Sequence, residues 1–143
     1  MWSKRTLAAL TVALMVLAGA VGVSAADTFK IGAVGPRTGP VATYGVSVLN
    51  AVTLAVENVN AEGGVLGRQI ELIIEDNKGD ATETNNAFRK LASRDQVHAI
   101  IGAVVTGNSI VGSQVAQMMK VPMITPTSTA EKVTEEGDYI FRS

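Results

Sequence analysis

Residues 29–75, FKIGAVGPRTGPVATYGVSVLNAVTLAVENVNAEGGVLGRQIELIIE, decide the fold. Phe29 to Val34 is a short apolar run stopped by Gly35-Pro36, which predicts a strand and then a turn. Thr38-Gly39-Pro40 leads into a helix. From Tyr44 to Asn60 apolar residues recur at Val48, Leu49, Val52, Ala55, Val56 and Val59. That is the i, i+3, i+4, i+7 spacing of one buried helical stripe. Gly63-Gly64 stops it. Gln69 to Glu75 is an isoleucine-rich second strand. A strand, a helix and a strand in that order form a βαβ unit.

The same alternation continues. Asp76 to Gly79 turns the chain, and Asp80 with Glu83 has the spacing of a capping box opening a second helix through Ala87, Phe88 and Leu91 to about Ser93. Val97 to Ile101 is a third strand. A third helix is expected from Ser109 to Met119, with Val111, Val115, Met118 and Met119 turned inward. Val121 to Ile124 makes a fourth strand closed by Pro126, and Tyr139 to Phe141 a fifth. Runs such as LII and AII are apolar on both sides of a strand, which suits parallel strands covered by helices above and below. The expected class is therefore α/β, an open, mostly parallel sheet with helices on both faces. The fifth strand has no helix after it. The chain reads as the front part of something larger.

Composition narrows the function. The 143 residues are 47% hydrophobic and 17% charged, enough apolar material for a core and too much for a disordered chain. Twelve basic residues against 13 acidic ones give a net charge of -1, so the basic footprint of a nucleic-acid partner is missing. With no cysteine there is no disulfide, thiolate nucleophile or Cys-based metal site. Residues 1–26 read as a signal peptide. Lys4 and Arg5 precede an apolar run from Leu7 to Val23, and small residues allow cleavage after Ala25 or Ala26. No cysteine follows, which excludes a lipid-anchored lipoprotein. The mature chain is expected to be exported, mildly acidic and not inserted in the membrane.

In an open parallel sheet, ligands bind at the carboxyl ends of the strands. There the sequence carries Gly35 to Gly45, Gly102 to Ser109 and Thr125 to Thr129, with many hydroxyls and glycines and almost no charge. Free N–H groups at the helix start after Thr106 suit a carboxylate, and threonine hydroxyls suit either end of a zwitterion. Tyr44, in the first helical turn, is placed near the mouth. Ser109 and Ser128 are read equally as simple caps. His98, inside an apolar strand with no acidic partner nearby, is read as structural, and Glu75-Asp76 and Glu135-Glu136 as solvated turn charges. No dinucleotide fingerprint is present, because Gly32, Gly35 and Gly39 miss the spacing and Pro36 interrupts the turn. No nucleophile–base pair accompanies the single histidine. A neutral polar cup implies binding, with no enzyme activity, cofactor or metal.

The runs GPRTGPVATYGVSVLNAVTLAVENVNAEGGVLGRQIELIIEDNKGDATE, VHAIIGAVVTGNS and VPMITPTSTAEKVTEEGDYIFRS resemble the N-terminal lobe of the branched-chain amino acid binding proteins of ABC transporters, which are type I periplasmic binding proteins. The resemblance covers Thr28 to Ser143. It implies a partial N-terminal ligand-binding lobe over 27–143, with a second lobe outside this chain. It also implies an amino-acid or small-amide ligand, an ABC transporter permease as partner and a periplasmic location. The ligand-binding positions it implies are Thr106, Thr127 and Thr129 for the amino-acid backbone and Tyr44 for the side chain. The amino-acid-binding members carry Ser at the position of Thr106 and Ala at that of Thr127, together with a disulfide that this chain lacks. The alternative is the ligand-sensing domain of a signalling receptor or amide regulator, which shares this lobe.

Overall fold

The computed structural model describes residues 28–143. The expected signal peptide over 1–26 lies outside them. Five strands form one sheet in the order β2-β1-β3-β4-β5, and every neighbouring pair is parallel. They are β1 (Phe29–Gly35), β2 (Ile70–Asp76), β3 (Ala99–Ile101), β4 (Met123–Thr125) and β5 (Ile140–Arg142). The helices are α1 (Ala42–Ala61), α2 (Ala81–Arg89) and α3 (Thr106–Met119). Each of the expected strands and helices is present. The strand order reverses between β1 and β3, which puts a crevice at their carboxyl ends.

The register separates the two faces. Gly32, Ile100, Met123 and Ile140 lie side by side on one face, and Ala33, Ile101, Ile124 and Phe141 on the other. The first face meets α2 and α3. Val34, Ile100, Met123 and Ile140 join Phe88, Leu91, Val115 and Ala116 in one buried cluster. Gly112 lets the two helices close on each other, since a Cβ there would lie 2.5 Å from the Phe88 ring. The second face meets α1 alone, which lies over β1 and β2. Beyond its reach, Ile124 is 42% exposed and Phe141 52%.

That asymmetry corrects the expected α1 stripe. Leu49 is buried, but Val48, Val52, Val56 and Val59 are only half-buried and Ala55 is exposed, because one helix on a sheet face has no neighbour to cover its flanks. In α3 the expected inward Met118 is instead 57% exposed, and the buried face runs through Asn108, Ser109, Gly112, Ser113, Val115 and Ala116. The helix starts at Thr106, earlier than expected. Val105, extended at φ -92° and ψ 133°, precedes it without a side-chain cap.

Asp80 caps α2 by accepting from the Glu83 N–H at 2.9 Å. The reciprocal half of the capping box is missing, because the Glu83 carboxylate pairs with Lys78 at 3.1 Å and the Asp80 N–H donates to the Asn77 carbonyl. After α2 the chain makes a π-helical turn, Lys90–Arg94. The Lys90 ammonium holds Glu75 and Asp95 there. Glu75 and Asp76 are therefore not solvated turn charges. Asp76 accepts from the Arg37 N–H, the Lys78 N–H and the Thr38 hydroxyl, each at 2.8 Å. It fastens the loop after β1 to the end of β2. His98 is structural as expected, but it is exposed just ahead of β3. Its Nδ1 accepts from the Lys30 N–H at 3.1 Å, and its ring stacks on Phe29.

Candidate functional site

At the carboxyl ends of β1 and β3, a cleft of about 460 Å³ opens between the first turns of α1 and the loops after β3 and β4. One wall is Thr43, Tyr44, Ser47 and Val48, and the other is Val104, Val105 and Thr127. The α1 wall is set by a close approach. Gly45 is buried, and a Cβ there would lie 2.0 Å from the Pro36 carbonyl oxygen, so the helix rests directly on the backbone of the preceding loop. Its neighbour Tyr44 is thereby turned outward, 71% exposed, at the rim. Three of the seven lining residues are valines, so the cleft is more apolar than the neutral polar cup expected from the loops.

Of the four expected ligand-binding residues, the fold brings Tyr44 and Thr127 into this cleft, facing one another across it. Thr127 donates its hydroxyl proton to the Val104 carbonyl at 2.6 Å, which leaves its oxygen able to accept. Thr106 and Thr129 do not line the cleft. Thr106 is the first residue of α3, half-buried, and among the described residues its hydroxyl makes no hydrogen bond. Thr129 is exposed, and its carbonyl accepts from Arg142 at 2.7 Å. The first turn of α3 is not capped by a side chain, so its amides are available to an acceptor. In the same turn, the buried Asn108 Nδ2 has no hydrogen-bond partner.

Ser109 and Ser128 neither cap α3 nor line the cleft. Both are buried with Thr125 in a hydroxyl cluster beneath the loops. The sequence signal was a threonine on the inward side of a strand, two residues from the buried Met123. A hydroxyl in that position must find a partner inside the protein. Val104 and Val105 were missed as lining residues because nothing in a valine's chemistry distinguishes a cleft wall from a core.

A family model described as Periplasmic binding protein matches residues 28–143. A Leu/Ile/Val-binding protein of Rhizobium johnstonii is 36% identical over 132 residues, covering 92% of this chain and 35% of that protein. Among solved structures, the branched-chain amino acid transporter substrate binding protein of Streptococcus pneumoniae, in complex with isoleucine, superposes with a TM-score of 0.79. It is 33% identical and covers 81% of this chain and 33% of its own. A solute binding protein of an ABC transporter from Rhodopseudomonas palustris, in complex with 3,4-dihydroxy benzoic acid, gives 0.74 at 31% identity, covering 81% and 31%. The chain thus spans about a third of the length of the proteins it matches.

Proposed function

Because the chain belongs to the periplasmic binding protein family, we propose that it is an exported solute-binding protein that captures a branched-chain or other aliphatic amino acid in the periplasm. It delivers the ligand to the permease of an ABC transporter and performs no catalysis. The observation that carries this reading is the cleft itself. Its apolar lining of Val48, Val104 and Val105 suits an aliphatic side chain, and its polar lining residues, Thr43, Tyr44, Ser47 and Thr127, carry no formal charge. The relatives named for leucine, isoleucine and valine support the ligand class.

The two ends suit opposite charges. Thr127 has committed its proton to Val104, so toward a ligand it can only accept, as an ammonium requires. The Thr106 hydroxyl and the open amides of α3 donate, as a carboxylate requires. The resemblance assigns Thr129, which lies outside the cleft lining, to the amino-acid backbone with Thr127, and Tyr44 to the side chain. The opposite wall of the binding site we assign to a second lobe, since burial between two walls is what excludes water.

Titration calorimetry with L-leucine on this lobe joined to its second lobe tests the reading. Thr106→Ala is expected to weaken binding by about 1.5–3 kcal/mol, because a desolvated charge loses a donor. Tyr44→Ala is expected to change the ranking of leucine, valine and alanine. A Thr106→Ala protein that binds every amino acid as tightly as the parent removes Thr106 from the site.

A further inference from the structure

Beneath the loops that form one cleft wall, three hydroxyls and one carbonyl are packed out of contact with water. Ser109 lies in the first turn of α3, Thr125 ends β4, and Ser128 follows in the next loop; all three are buried. The Ser109 and Thr125 hydroxyls each lie 2.8 Å from the Ala103 carbonyl oxygen. Ser128 lies 2.6 Å from Ser109 and 2.8 Å from Thr125, and Ser109 lies 3.3 Å from Thr125. Three hydroxyls own three protons, and these five contacts absorb them all. No proton is left to donate to a ligand. The cluster is therefore not an extension of the site.

Its position says what it does. Ala103 is followed directly by Val104 and Val105, and Thr125 and Ser128 bracket Thr127. The cluster pins the loop after β3 to the loop after β4 at the point where both form the wall. Immediately above it, the Thr127 hydroxyl reaches the Val104 carbonyl. We infer that Ser109, Thr125 and Ser128 are positioning residues that hold Val104, Val105 and Thr127 in their binding geometry by cross-linking the two loops through the Ala103 carbonyl. The inference deepens the proposed solute-binding role and rests on it for its consequence on affinity.

An isosteric pair at Thr125 separates positioning from bulk stability. Thr125→Val keeps the shape and removes the proton; Thr125→Ser keeps the proton and removes a methyl. Folding survives the first change because Ala103 retains the Ser109 bond. In the ligand-free protein with labelled valine methyl groups, Thr125→Val is expected to shift or broaden the Val104 and Val105 signals while Val115 and Val133 stay in place. Thr125→Ser is expected to keep all four. In titrations with L-leucine, Thr125→Val is expected to raise Kd roughly tenfold or more and Thr125→Ser by no more than about threefold. Unchanged valine signals with unchanged leucine affinity in Thr125→Val overturn the inference, as does a Thr125→Ser protein that loses as much as Thr125→Val. If the parent lobe joined to its second lobe binds no aliphatic amino acid, the solute-binding reading falls, and the methyl spectra alone still decide whether the cluster positions the loops.

Discussion

The two faces of the sheet are built from the same strands and are held very differently. On one face α2 and α3 close over Val34, Ile100, Met123 and Ile140. On the other, α1 covers β1 and β2 and leaves Ile124 and Phe141 open to solvent. Both faces are apolar in sequence, so hydrophobic content does not distinguish them. What differs is the number of helices that can reach each one. A second helix turns a half-buried stripe into a core, because its side chains fill the grooves that a lone helix leaves at its flanks. The cleft opens on the thinly covered side, where α1 supplies one wall.

The largest expected effect lies on the covered face. Phe88→Ala removes a fully buried ring from between α2 and α3 and should cost about 3–5 kcal/mol in urea unfolding. A cost near zero would mean that the two faces do not differ in the way their exposure indicates.

Asp76 sharpens the comparison from the thin side, since it ties the loop that leads into α1 to the end of β2. Burial alone would raise its pKa, but the N–H groups of Arg37 and Lys78 and the Thr38 hydroxyl outweigh that and hold it below the usual value of 3.8. A group whose folded pKa is depressed stabilises the fold above its unfolded pKa, and that stabilisation is lost as the pH falls through the folded value. The parent should therefore lose stability below about pH 4 more steeply than Asp76→Asn, as followed by circular dichroism. Near neutral pH, Asp76→Ala should cost about 1–3 kcal/mol, because three donors lose their acceptor.

The smallest effect is expected on the open face. Phe141→Ser and Ile124→Thr should change stability by no more than about 1 kcal/mol each, because each side chain leaves about half of its surface in solvent. They should instead lower self-association in sedimentation experiments, since exposed apolar groups beside the edge strand β5 favour sticking. A cost as large as that of Phe88→Ala would show that this face is covered in solution.

Much of this architecture is legible in the sequence, for reasons that differ by element. The strands of the Gly35 and Gly102 segments are short apolar runs cut by residues that end a strand, and such punctuation is local. The capping role of Asp80 is local too, since its acceptor and the Glu83 N–H are three residues apart. The missing half of that capping box was not legible, because Glu83 is drawn away by Lys78 and competition between partners depends on their positions in space. Tyr44 was placed near the mouth by its position in the first helical turn, Thr127 was implied by resemblance, and the fold brings both to the cleft. Thr106 and Thr129 share these loops but do not line the cleft: Thr106 opens α3, and the Thr129 carbonyl is held by Arg142.

By itself the sequence determined the order of the elements and the parallel sheet. Each of those follows from periodicity and turn chemistry within a few residues. The tertiary structure alone decided that Ser109, Thr125 and Ser128 share one carbonyl, that Asp76 is an anchor, and that Met118 and Ala55 face water. Those outcomes depend on contacts between residues far apart in the chain, and a hydroxyl, a carboxylate or a methionine carries no local mark of the neighbour it will meet.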